Sequence, residues 1–246
     1  YLFPQTKTIF FLQENLGFHR FMTTDSRTLP PNFSVIYKLQ SVDGYDPLYT
    51  SRYAELIAAS ERSEPNISPP FGFNRIITPH KYDSKIIDLL GVKYILSLSD
   101  LNSSKLKKVF QEGQTRVYEK KNSLPRVFFV EQVVVVNDKN ETIEKMFEDN
   151  FDPRKTAIVE VSLGAAINPP LGCTCTAKIL FYQENKIMIE TENAQDGFLV
   201  LTDSFYPTWK AKVDNNLTRI YRTDYNFRGI VVPKGIHKVE FYTRLF

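Results

Sequence analysis

Two stretches of the chain hold residues whose types and spacing suit chemistry. Asp43 and Asp46 bracket Gly44-Tyr45, and Asp203 precedes Ser204-Phe205-Tyr206-Pro207. Paired carboxylates at a suitable separation run glycoside hydrolysis, one protonating the leaving oxygen while the other activates water or attacks. The same residues next to Gly or Pro also build turns, because their oxygens accept nearby backbone N–H groups, and turn formation is the favoured role at both places. Trp209 is the single tryptophan and stands in Tyr206-Pro-Thr-Trp-Lys-Ala. Aromatic rings stack on sugar faces, whereas the competing role is a core ring between two sheets. Tyr206, Trp209 and Tyr225, with Asp43, Tyr45 and Asp46, are therefore the candidate carbohydrate-binding residues. Solvent exposure of Trp209 separates an exposed platform from a core ring, and the core is favoured.

Other catalytic signatures are missing. The sequence has no GxGxxG, Walker Gly-Lys-Ser/Thr, HExxH, GxSxG or Asp-x-Asp. His19, His80 and His237 are far apart in sequence, and His237 is expected to point from an edge strand into solvent or to bond a neighbouring strand. Cys173 and Cys175 fall short of the four ligands of a structural zinc. Alternate residues of an extended segment share a side, so the two thiols can approach, but a bridge closing so small a ring is strained. Free or buried thiols are expected, with a strained disulfide as the alternative. No cofactor and no metal are expected, and the chain alone should neither bind a nucleotide sugar nor transfer a sugar.

The charge balance excludes one partner class. Thirty-one basic against 28 acidic residues give +3 over 246 residues, and no Lys/Arg block is long enough to track a phosphate backbone. The densest basic patch, Lys105, Lys107 and Lys108, is expected on a solvated helix face. Nucleic acid is not an expected partner. No apolar stretch approaches the ~20 residues that cross a bilayer, and no secretory leader opens the chain. The chain starts at Tyr1 without Met and stops at Phe246 just after a strand-like segment, which suggests an excised piece. Asn-x-Ser/Thr triplets at Asn32, Asn66, Asn102, Asn140 and Asn216 carry no functional weight, since such triplets arise by chance.

The elements that must position these residues change character midway. Thr6 to Leu16 has helical spacing and ends at Gly17; Arg20 to Thr24 and Ser34 to Leu39 read as strands; Thr50 or Ser51 caps a helix through Ile57. Pro65 to Phe73 is a loop. Asp83 is expected to cap a helix from Lys85, closed by Gly91 and followed by an apolar strand from Val92, and Ser103 to Gln111 reads as a charged helix before a strand at Thr115 to Glu119. Lys120 to Pro125 is the candidate linker. Beyond it, Val127 to Val136 is β-prone, a helix capped near Asn140 spans Ile143 to Phe147, and short strands recur between turns such as Gln195-Asp-Gly, Asp214-Asn-Asn and Pro233-Lys-Gly. The expected fold class is α+β: a mixed α/β domain over 1–124, then an antiparallel β-sandwich with one short helix over 125–246.

Ser41-Val-Asp-Gly-Tyr-Asp-Pro-Leu-Tyr with Ser51-Arg-Tyr, then Leu89-Leu-Gly-Val-Lys-Tyr-Ile-Leu, resembles the extracytoplasmic region of YfhO-like membrane proteins. Asp196-Gly-Phe-Leu-Val-Leu-Thr-Asp-Ser-Phe-Tyr-Pro-Thr-Trp-Lys-Ala-Lys-Val-Asp and Val231-Val-Pro-Lys-Gly-Ile-His-Lys-Val-Glu-Phe-Tyr resemble the closing module of that family. The resemblance spans nearly the whole chain in order. Thr208 and Asn215 stand where the family usually has Gly, both at turns. The resemblance implies a multi-spanning parent protein related to lipid-linked-sugar glycosyltransferases, with this chain on the extracytoplasmic side of the membrane. The implied partners are transmembrane helices of the same parent chain and a cell-surface glycan or polymer. The catalytic carboxylate of such enzymes lies on an early loop near the membrane, outside this chain, so no catalytic residue is carried over. The implied role is a non-catalytic accessory region that aids acceptor binding or assembly. Its rivals are a carbohydrate-binding module and a freestanding hydrolase using Asp43 or Asp46.

Overall fold

The computed structural model describes residues 3–46, 48–163 and 175–244, so that Tyr1, Pro47, Cys173 and Phe246 lie outside it. The chain divides into two compact units, Tyr1–Arg126 and Val127–Phe246. The break lies close to the expected boundary after residue 124.

The first unit is mixed α/β. Helix α1 (Lys7–Asn15) starts where the Thr6 hydroxyl accepts the Ile9 N–H and ends before Gly17, whose positive φ reverses the chain. Its buried face carries Ile9 and Leu12. Then follow β1 (Arg20–Thr23), a 3-10 helix (Phe33–Tyr37), β2 (Gly44–Tyr45), α2 (Ser51–Arg62), β3 (Ile76–Ile77), α3 (Lys85–Leu89), β4 (Val92–Ser97), β5 (Leu106–Glu112) and β6 (Thr115–Lys120). The main sheet has the order β1-β4-β6-β5, with β1 and β4 parallel and the other pairs antiparallel, while β2 and β3 form a separate small ribbon. Ile9, Leu12, Phe21, Leu96 and Val117 meet in the core between helix and sheet.

Four sequence expectations need correction here. Ser34 to Leu39 is a 3-10 turn and no strand: Asn32 at its start has positive φ, and Ser34 and Tyr37, three residues apart, are its buried pair. Leu106 to Glu112 is an edge strand and not a helix, so Lys107 and Lys108 lie on a sheet edge. Charged residues suit an unpaired edge, where they also discourage association. The cap of α3 is Ser84, whose hydroxyl accepts the Ile87 N–H, and not Asp83. The expected linker is tied down: Lys120 Nζ lies buried 2.6 Å from Asp88 Oδ1, and the Leu124 N–H donates to the Asp88 carbonyl.

The second unit is built of β7 (Val127–Val130), β8 (Gln132–Val135), α4 (Lys139–Phe147), β9 (Thr156–Val159), β10 (Thr176–Gln183), β11 (Lys186–Asn193), β12 (Gly197–Leu201), β13 (Lys210–Val213), β14 (Asn216–Thr218), β15 (Tyr221–Thr223), β16 (Phe227–Val232) and β17 (Gly235–Tyr242). Five strands order as β10-β11-β17-β13-β14 and six as β7-β12-β16-β15-β9-β8. All pairs are antiparallel except β8 and β9, which run parallel and are bridged by α4, capped by Asp138, close to Asn140 as expected. Leu199, Leu201, Ile230 and Val232 of one sheet pack with Ile187, Ile189, Ala211, Val239 and Phe241 of the other, the buried middle of a sandwich. The alternate residues Phe198 and Val200 fill a second cluster with Ala157, Val159 and Tyr221. Strand β12 is thus apolar on both faces, which explains its unbroken Phe-Leu-Val-Leu run. Gly229 is required opposite it, because a Cβ there would collide with the Phe198 ring.

Candidate functional site

In the first unit, residues 40–42 run beside β1: the Phe21 N–H donates to the Gln40 carbonyl and the Val42 N–H to the Phe21 carbonyl. This places Asp43 at the end of β1. Its Oδ2 accepts the Thr23 N–H (3.2 Å), the Thr23 hydroxyl (3.1 Å) and the Ser41 hydroxyl (3.1 Å). Burial pushes the carboxyl up to about 7, and the Ser41 and Thr23 bonds pull only partly against it. Beside it, the α2 residue Tyr53 donates its hydroxyl to the Val42 carbonyl at 2.7 Å, and burial pushes that phenol up as well.

Tyr45 and Asp46 differ from Asp43. The Asn32 side-chain amide donates to the Tyr45 carbonyl (2.7 Å) and accepts its N–H (3.0 Å), fixing the backbone while the Tyr45 side chain stays exposed. Asp46 is exposed, and its Oδ1 accepts the Leu48 N–H at 2.7 Å, the turn role expected for it. One carboxyl of the pair is therefore sunk against β1 and the other caps a surface turn.

In the second unit, the loop from Asp203 to Thr208 joins β12 to β13 and is held from below by the β15–β16 hairpin. The Phe205 N–H donates to the Asn226 carbonyl (2.6 Å), the Asn226 amide to the Ser204 hydroxyl (3.0 Å) and Arg228 Nε to the Ser204 carbonyl (3.0 Å). Tyr182 donates its hydroxyl to Asp203 Oδ2 at 3.0 Å. The Arg228 guanidinium lies 3.6 Å from the centre of the Trp209 ring, a close cation–π stack, and Trp209 also packs against the sandwich core. As the period-two pattern predicts, Ala211 and Val213 are buried while Lys210 is exposed.

The three-ring platform is corrected by this geometry. Tyr225 is fully buried with φ +75 in the tight turn of the hairpin. Trp209 is half-buried beneath Arg228, and only Tyr206, 51% exposed, presents a ring to solvent. Sequence reasoning missed Arg228, Asn226 and Ser204. One signal was available, an arginine inside the apolar strand run Phe227-Arg-Gly-Ile-Val-Val, where a charge must find an internal partner.

The histidines do not converge. His80 Nδ1 lies 3.8 Å from Glu61 Oε2, and burial together with the Lys93 charge pulls His19 down. His237 lies on β17, an interior strand and not the expected edge, with Nδ1 2.5 Å from Asp214 Oδ2. That bond raises the His237 pKa and lowers that of Asp214. Among the described residues no group of three or more His, Cys, Asp or Glu is placed to hold a metal ion. Cys175 is disulfide-bonded, the stated alternative to the free or buried thiols expected; Cys173 lies outside the described residues. Among the described residues no helix is long and apolar enough to cross a membrane. Comparison of the chain with protein-family models, curated proteins and solved structures gives no significant match.

Proposed function

We propose that this chain is a non-catalytic accessory region on the extracytoplasmic side of a multi-spanning membrane protein resembling the lipid-linked-sugar glycosyltransferases, where it aids acceptor binding or assembly. One observation carries the non-catalytic half. The side chains best suited to chemistry are engaged in holding loops: Asp43 on Thr23 and Ser41, Asp46 on Leu48, Asp203 on Tyr182, and Trp209 under Arg228. A group held this way is preorganised for the fold, and turning it to a substrate would first cost those bonds. The membrane half rests on the resemblance of the Ser41 to Tyr49 and Asp196 to Asp214 stretches. A carbohydrate platform is not advanced, since Tyr206 alone of its three rings is open to a sugar.

The test uses the parent protein in intact cells. Tyr206→Cys places a thiol at an exposed position, and a membrane-impermeant maleimide should label it without permeabilisation. Labelling that requires permeabilised cells, or recovery of the protein in the soluble fraction, would sink the membrane assignment. Sugar transfer by the isolated chain would sink the non-catalytic one.

A further inference from the structure

An imidazole ties turns together at one end of the sandwich. His237 has both ring nitrogens against acceptors: Nδ1 lies 2.5 Å from Asp214 Oδ2, and Nε2 lies 3.1 Å from the Lys234 carbonyl oxygen. The first acceptor belongs to the turn between β13 and β14, where Asp214 and Asn215 both have positive φ. The second belongs to the turn between β16 and β17. That turn is also held from the β11–β12 connection, where Asp196 Oδ1 accepts the Lys234 N–H at 2.8 Å and the Asn193 amide donates to the Pro233 carbonyl at 2.6 Å. Gly235 leaves room for the ring, since a Cβ there would stand 3.2 Å from Nε2.

Ring chemistry makes this contact depend on a proton. An imidazolium carries N–H on both nitrogens and satisfies both acceptors, whereas the neutral ring keeps one proton and one lone pair. A carboxylate holds an N–H more strongly than a carbonyl does, so the remaining proton stays on Nδ1. Nε2 then turns its lone pair on the Lys234 oxygen, and two facing acceptors repel. Asp214 keeps its other anchors in either state, because its Oδ1 accepts the Lys238 N–H and its own N–H donates to the Lys238 carbonyl. Loss of the proton therefore loosens the 233–235 turn and leaves the β13–β14 turn in place. Asp214 supplies the charge that acts on the ring. Thr191, opposite His237 on β11, is buried and donates its hydroxyl to the His237 carbonyl, while Glu190, Glu192 and Lys238 occupy the alternate, exposed face. Lys212 of β13 pairs with Glu240 on that same outer face, and the Lys234 side chain is exposed.

We propose that His237 is a proton-operated latch: charged, it pins the 233–235 turn to the end of the sandwich, and neutral, it releases that turn. The Asp214 bond, with help from the Lys234 carbonyl, raises the His237 pKa above its ordinary 6.5, so the latch is closed below about pH 6.5 and opens as pH rises through the raised value. The test is residue-resolved hydrogen exchange on the purified chain, corrected for the intrinsic pH dependence of exchange. The Lys234 amide should lose about tenfold in protection as pH rises through the His237 titration, while the Asp214 amide keeps its own. His237→Gln has no titrating proton and should show no such change. Asp224 titrates in the same unit and is present in both chains, so the difference between them isolates His237. Asp214→Asn still offers an acceptor to the Lys238 N–H but removes the charge, and it should move the transition to lower pH. The ring gives a second reading that needs no variant: in heteronuclear NMR spectra the neutral His237 ring should carry its proton on Nδ1. Lys234 protection that ignores pH, a pH dependence that His237→Gln keeps, or a neutral ring protonated on Nε2 would overturn the proposal.

Discussion

The two units each bury a cation close to a chain connection, and they satisfy it differently. In the first, the ammonium of Lys120 is removed from water at the end of β6 and lies 2.6 Å from the α3 carboxylate of Asp88, whose carbonyl also takes the Leu124 N–H. In the second, the guanidinium of Arg228 lies 3.6 Å over the centre of the Trp209 indole while its Nε holds the Ser204 carbonyl. A compact ammonium needs a point counter-charge, whereas a planar, weakly hydrated guanidinium can use an aromatic face and a carbonyl together. The first arrangement pins the end of a unit to a helix. The second seals a loop over a sandwich edge.

The sharpest way to break this comparison is Lys120→Met, which keeps the aliphatic stem and takes the ammonium from the Asp88 carboxylate. Removing one partner of a buried pair costs on the order of 3–5 kcal/mol. The loss should be read as a lower urea midpoint with faster amide exchange in β4 and β6. A midpoint shift no larger than that of an exposed lysine would mean that the pair contributes nothing beyond packing.

Trp209→Ala is the counterpart in the second unit. Truncating a large ring packed on a core costs about 3 kcal/mol, toward the lower end here because the indole is only half-buried. The loss should appear as faster exchange in β12 and β16 and a lower melting temperature. If the variant instead melts like the parent and loses binding to a cell-surface polysaccharide, the indole is a sugar platform after all.

These two sites also show what the sequence made legible. Period-two alternation placed Trp209, Ala211 and Val213 on the core face correctly, because strand geometry is local. The helix ends at Gly17 and Gly91 were legible for the same reason, and Thr50 is one of the two residues expected to start α2. The Arg228 stack was not, since it joins residues from two strands that only the sandwich brings together. Leu106 to Glu112 was misread because its lysines suit a helix, while its fate was decided by pairing with β6 across the Gly113 turn and by Phe110 stacking on Phe11 at 5.0 Å. Ser34 to Leu39 is β-prone in composition, yet the Asn32 clasp on Tyr45 turns it into a 3-10 helix. Tyr225 looked like an exposed ring because a non-glycine residue buried at positive φ leaves no local pattern.

The smallest expected effect concerns the buried carboxyls, again one in each unit. Asp43 has three donors on one oxygen, and Asp224, at the tight turn after β15, has a single one, the Ile158 N–H at 2.7 Å. Burial pushes both up to about 7 from 3.8. Between those values the folded chain holds protons that the unfolded chain has released, so stability falls as pH rises through this window and is fully retained only below about 3.8. Asp224→Asn removes one titration while its carbonyl oxygen can still accept the Ile158 N–H, and asparagine tolerates the positive φ of this turn. The variant should match the parent below about pH 3.8 and exceed it near about pH 8 by at least on the order of 1 kcal/mol, measured by urea midpoints across the range. A residual slope of the same sign should remain, contributed by Asp43. An equal loss at both pH values would show that the ionised Asp224 carboxylate is held by the fold and not expelled by it, and the contrast between one donor and three would lose its meaning.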